Sequence, residues 1–223
     1  MHQAIAENNL DVKVFCVLAG LTTGYGPSHQ ATEDIAMMRG IPGLTIVDPC
    51  DALDTEQAVS AIAAHDGPVY MRLLRGKVPL VLDEYDYQFE LGKAKLLRDG
   101  KDVLIISSGI MTMRALETAQ ALGDGVADVA VLHAPTIKPL DEATIVEQCR
   151  RSQRLVVVAE NHSCVGGLGE AVASALMRAR VQPEFRQIAL PDQFLAAGAL
   201  PTLHDRYGIS TSSMVDSIKQ WLK

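Results

Sequence analysis

The sequence predicts an α/β protein made of two parallel-sheet units, the first incomplete and the second complete. Three observations predict it. Apolar runs such as Val12 to Leu18 and Asp102 to Ser107 have the length of buried strands. Stretches with helical apolar spacing stand between such runs, an order that pairs strands in parallel through right-handed crossovers. Gly and Pro clusters mark the joints.

Taken in order, Met1 to Leu10 reads as the tail of a helix. Val12 to Leu18 is a first strand, closed by the breaker run Thr22-Thr23-Gly24-Tyr25-Gly26-Pro27. Ser28 is placed to cap a short helix with apolar Ile35, Met37 and Met38. Leu44 to Val47 is a second strand. Asp51 then caps a helix, with Asp54 three residues on, and Gly67-Pro68 ends it. Pro68 to Leu74 is a third strand. Gly76 to Gly92 breaks the rhythm and reads as a surface linker, followed by a short strand from Phe89 to Lys95.

The second series runs as strand Asp102 to Ser107, helix Met111 to Leu122, strand Val126 to Leu132 and helix Asp141 to Arg150. Strand Leu155 to Ala159, helix Leu168 to Ala179, strand Phe185 to Leu190 and helix Ser210 to Leu222 complete it. Domain limits of 1–82, 83–95 for the linker and first strand, and 96–223 follow. The first unit offers only three clear strands and is short for a domain.

Composition narrows the function. The 223 residues are 48% hydrophobic and 21% charged, enough to bury a sizeable core. A net charge of −7 argues against general nucleic-acid or membrane-surface binding, and 4% aromatics leave few platforms for stacked bases. Cys16, Cys50, Cys149 and Cys164 form no C-x-x-C pair, which argues against zinc. No apolar run approaches a membrane span, and no signal peptide is visible. A cytoplasmic protein with reduced thiols is the expectation.

His29 is the first functional candidate. It follows a Gly-Pro turn outside the carboxyl end of a predicted strand, where α/β proteins keep their chemistry. Its position at a helix mouth would favour anions, although a capping histidine would sit there equally well. Glu160-Asn161-His162 ends a later strand, and Gly166-Gly167-Leu168-Gly169 opens the next helix. A Gly-rich turn before a helix can cradle phosphate. Its spacing is G-G-x-G, however, and not the dinucleotide fingerprint. A nucleotide-binding oxidoreductase is therefore the weaker alternative.

Four segments resemble the transketolase family, in the family's order and over nearly the whole chain. Gly26-Pro27-Ser28-His29-Gln30 resembles its G-P-T-H-Q or G-A-S-H-Q. Arg39-Gly40-Ile41-Pro42-Gly43 through Asp51 resembles R-x-I-P-N-x-x-V-x-x-P-x-D, and the others are Arg72 to Pro79 and Glu160 to Glu170. The resemblance implies the back part of a pyrimidine-binding domain followed by a doubly wound transketolase C-terminal domain. It implies thiamine diphosphate and Mg2+ as cofactors of the complete assembly, with the metal site on another part.

The resemblance also assigns roles. His29 would meet a substrate oxygen, and Gln30 would hold that ring or face the cofactor. Arg75 would bind a substrate phosphate with its guanidinium fork, or else make a surface ion pair. Glu160 and His162 become structural or dimer-interface residues. Leu18 and Tyr25 depart from the family's histidine and acid, which implies altered substrate selectivity. The acidic residue that contacts the aminopyrimidine has no counterpart here. The expected partners are an N-terminal transketolase subunit or N-terminal part and sugar or sugar-phosphate substrates, in a homodimer or heterotetramer. A non-catalytic dimerisation or regulatory module is the other alternative.

Overall fold

The computed structural model describes residues 1–76, 78–123, 125–151 and 154–223. Lys77, part of the Arg72 to Pro79 motif and of the linker, lies outside the described residues. The fold is α/β, with two sheets dominated by parallel pairs.

The first sheet has the order β1-β3-β2-β7. Strands β1 (Lys13–Val17), β2 (Thr45–Val47) and β3 (Val69–Leu73) are parallel, linked through helices α1 (Asp34–Arg39) and α2 (Ala52–Ala63). Asp51 caps α2 as expected, accepting from Asp54 N at 3.0 Å, and its other oxygen accepts from Val81 N and Leu82 N. One carboxylate thus starts a helix and pins the linker across it. Met1 to Leu10 contributes one π-helical turn, His2–Ala6.

The second sheet has the order β4-β6-β5-β8-β9. Its strands are β4 (Lys95–Arg98), β5 (Val103–Ser107), β6 (Val129–His133), β8 (Leu155–Ser163) and β9 (Phe185–Leu190). Helices α3 (Ile110–Gly123) and α7 (Thr211–Trp221) cover one face, α4 (Glu142–Arg150) and α5 (Leu168–Arg178) the other, as a doubly wound unit requires. Val103 and Ile105 point to the first pair and Leu104 and Ile106 to the second, so all five residues of β5 are buried. The second core also takes in Ile35, Leu44, Ile46 and Tyr70 from the first unit. The two units therefore share an apolar face.

Four expectations need correction. The helix capped by Ser28 does not form: Pro27–His29 is a 3-10 turn, and α1 begins only at Asp34. The strand after the linker is Lys95–Arg98, not Phe89 to Lys95, and it pairs antiparallel with β6. A short strand went unseen: β7 (Thr136–Lys138) crosses to the first sheet and pairs antiparallel with β2. So did helix α6 (Leu200–Arg206), which carries Pro201 in its first turn.

Candidate functional site

Parallel strands bring their carboxyl ends to one edge, and at that edge of the first sheet three side chains meet. His29 lies in the connection from β1 to α1, and Arg75 follows β3 by two residues. Tyr25 meets His29 edge to face, with ring centroids 5.7 Å apart. Tyr25 and Arg75 line an open cavity of about 430 Å³ together with Thr22, Thr23, Gly198 and Leu200.

His29 is exposed. Its Nδ1 lies 3.0 Å from Ser28 Oγ, and with Ser28 as donor the proton sits on Nε2. The first α-helical turn lies beyond it, so helix N–H groups do not create an anion site at His29. Arg75 is also exposed and has no hydrogen-bond or ion-pair partner among the described residues. The structure thus brings Arg75 to one cavity with Tyr25, and His29 against Tyr25's ring.

Gln30 is buried and clamps two loops, its amide nitrogen donating to Thr23 O at 3.2 Å and Ala196 O at 3.4 Å. Its Oε1 is buried without a hydrogen-bond partner among the described residues. The clamp is tight because a Cβ on Gly24 would lie 2.0 Å from Gly198 O, so only glycine lets these loops approach. Leu18, at the end of β1, has φ of 70°, a left-handed backbone unusual for leucine.

Buried polar groups fix this edge. Arg72 is held by Asp34 at 3.0 Å and Asp48 at 3.2 Å, and also donates to Asn161 O in β8. Desolvation alone would lower its pKa, but the two carboxylates hold it above the ordinary arginine value. Ser108 Oγ donates to the same Asp48, and Asn161 Oδ1 accepts from Leu21 N. A second network joins Asp54 to Tyr87 at 2.6 Å and to His133 at 2.9 Å. Motif spacing gives no individual role to Arg72, Asn161, His133 or His204. His204 Nε2 lies 2.8 Å from Leu21 O and Nδ1 lies 2.7 Å from Arg114. Burial lowers its pKa, which keeps the ring neutral. Only chain-distant pairing reveals these roles.

The Gly-rich turn before α5 is filled by the protein itself. Glu160 accepts from Leu168 N at 2.6 Å and Gly169 N at 2.8 Å, and a Cβ on Gly167 would lie 1.9 Å from its carboxylate. Burial raises the Glu160 pKa to about 7, against these stabilising bonds. His162 accepts from Ala36 N through Nε2, tying α1 to β8. The donors a dinucleotide phosphate would use are occupied. Among the described residues, no group of three His, Cys, Asp or Glu side chains is placed to hold a metal ion. No described helix is long and apolar enough to cross a membrane.

Two parallel-sheet units fused through a shared core, with an exposed imidazole and guanidinium at one sheet's carboxyl edge, define a two-unit α/β protein. The pyrimidine-binding domain of transketolase matches residues 1–81 and the transketolase C-terminal domain matches residues 92–214. The chain belongs to the transketolase family.

The relatives give the same answer. A putative uncharacterized transketolase family protein of Sinorhizobium fredii is 74% identical over 98% of this chain and 64% of its own length. A 6-deoxy-6-sulfo-D-fructose transketolase subunit of a Clostridium species is 38% identical over 95% of this chain and 65% of its own. A solved split gene transketolase, an inactive beta4 tetramer, superposes with a TM-score of 0.89 at 36% identity, covering 99% of this chain and 70% of that one. The chain therefore spans about two-thirds of the length of the relatives it matches.

Proposed function

We propose that this chain is the C-terminal part of a transketolase-like enzyme that transfers a two-carbon ketol unit between sugars or sugar phosphates, and that it is inactive alone. The observation that carries this reading is the meeting of His29, Tyr25 and the Arg75 cavity at one sheet edge, in a chain that matches both family domains. When bound, thiamine diphosphate supplies the electron sink that such a transfer needs.

The residues here fit that cofactor in part. Gln30, next to His29 in the chain, has a buried acceptor, Oε1, with no partner among the described residues. The Gly-rich helix start is closed by Glu160, which supports placing the diphosphate and Mg2+ on an N-terminal partner subunit or part. The working assembly is a homodimer or heterotetramer, and four free thiols suit a cytoplasmic setting.

His29 Nε2 moves a proton at the substrate's carbonyl or hydroxyl oxygen, with Ser28 fixing the tautomer. Arg75 pairs with the substrate's phosphate or equivalent anion. Tyr25 and the left-handed Leu18 replace polar contacts, which weakens use of ordinary pentose phosphates. In a reconstituted complex, His29→Ala should lower turnover by roughly 10²–10⁴ with folding unchanged. Wild-type turnover in that variant would remove His29 from the chemistry.

A further inference from the structure

A basic cavity of about 480 Å³ lies at the opposite end of the second sheet from the candidate site. Its walls come from the end of α4, the start of β8 and the turn from α5 to β9. Leu155 and Phe185 open β8 and β9, so this is the amino edge of those strands. Arg150, Arg151, Arg154 and Arg180 line it, against Glu184 as the acidic lining residue. Glu184 is paired with Arg186, and Asp99 pairs with Arg151 and lies 3.9 Å from Arg154, which leaves Arg150 and Arg180 without an acidic partner among the described residues. That is unexpected in a chain of net charge −7. Arg150, Arg151 and Arg154 fall in one short stretch of the sequence, and the fold brings Arg180 to them.

Basic side chains after a helix offset the partial charge of its last carbonyls. Arg154 does this in part, donating to Gln148 O and to Gly100 O. Two features go beyond capping. Arg154 is buried, yet its Nε has no hydrogen-bond partner among the described residues. Arg180 holds φ of 56° where Val181 N closes the helix end on Leu176 O, a position that ordinarily takes glycine. An arginine there accepts backbone strain to place its guanidinium at the cavity.

We propose that this cavity binds a small molecule carrying two or more phosphate groups, at a site separate from the one that performs transfer. Guanidinium forks pair with phosphate oxygens, and several converging forks favour a compact polyanion over a single carboxylate. The lining contains no aromatic ring, so recognition is of phosphates and not of a stacked base. The Cys149 thiol in the wall stays neutral, its pKa pushed up to about 12 by burial.

Inorganic pyrophosphate is the probe, titrated calorimetrically into the 223-residue chain, with sulfate at matched ionic strength as control. Arg180→Gly removes a guanidinium and relieves the left-handed strain, so loss of binding cannot be blamed on unfolding. Pyrophosphate should bind the wild type with one site per chain. Arg150→Gln with Arg180→Gly should weaken it about tenfold or more, at equal or higher melting temperature. His29→Ala should leave it unchanged, which separates this site from the transfer site. No binding at millimolar pyrophosphate, equal competition by sulfate, or undiminished binding by the double variant would each overturn the proposal.

Discussion

The two sheets of this chain treat their strands differently. In the second sheet, β5 and β8 are buried along their whole length. In the first, β1 is an edge strand whose Phe15 and Val17 are 45% and 66% exposed. The residues proposed for chemistry lie with the open region, while the closed region supplies its support through Asn161, Ser108 and His204. The second unit buries its central strands and shares one apolar face with the first, and the first presents the side chains proposed to act in the assembled enzyme.

The seam between the regions should show the largest effect of substitution. Arg72→Ala leaves Asp34 and Asp48 buried without their shared cation and should cost about 3–5 kcal/mol in chemical denaturation. A loss under about 1 kcal/mol would mean that the two regions hold together without it. Next comes the contrast between the sheets. Ile105→Ala should cost about 2–5 kcal/mol and Val17→Ala about 0.5 kcal/mol or less. Equal costs would abolish the distinction.

Smaller is the pH effect of Glu160. Its folded pKa is raised to about 7, so the folded state holds a proton that the unfolded state releases above about 4.5. Its contribution is complete below pH 4.5 and is lost as pH rises through about 7. The stability difference between wild type and Glu160→Gln should therefore fall over that window, by at most about 1.4 kcal/mol per pH unit, and flatten above it. A flat difference throughout would show that the Leu168 and Gly169 N–H donors hold the carboxylate ionised. The smallest effect belongs to Arg75→Ala, which should move the melting transition within error and weaken only substrate binding in the reconstituted complex.

Much of this was legible in the sequence. The apolar runs at 103–107 and 155–159 are unmistakable strands because both faces are covered, and Asp51 announces its helix by cap chemistry alone. The α/β class followed from such signals, and the family resemblance from the four motif segments. What failed depended on partners far along the chain. Thr136–Lys138 is a strand only because β2 offers it an edge. His29 sits in a tight turn and not a helix because its backbone N bonds Gly26 O and the next stretch runs out to meet Ala19 and Gly20. At the site, motif spacing singled out His29 and Arg75, but the Gln30 clamp needs Ala196, which only the fold brings near.

The central claim is that this chain carries half of a transfer site. The direct measurement is ketol transfer by the purified chain with thiamine diphosphate and Mg2+. It is compared with the same chain completed by the part of the Sinorhizobium fredii relative outside the match and by an N-terminal transketolase subunit. Turnover should appear only in the completed assembly and should fall with His29→Ala. Turnover by the chain alone at a comparable rate would contradict the claim.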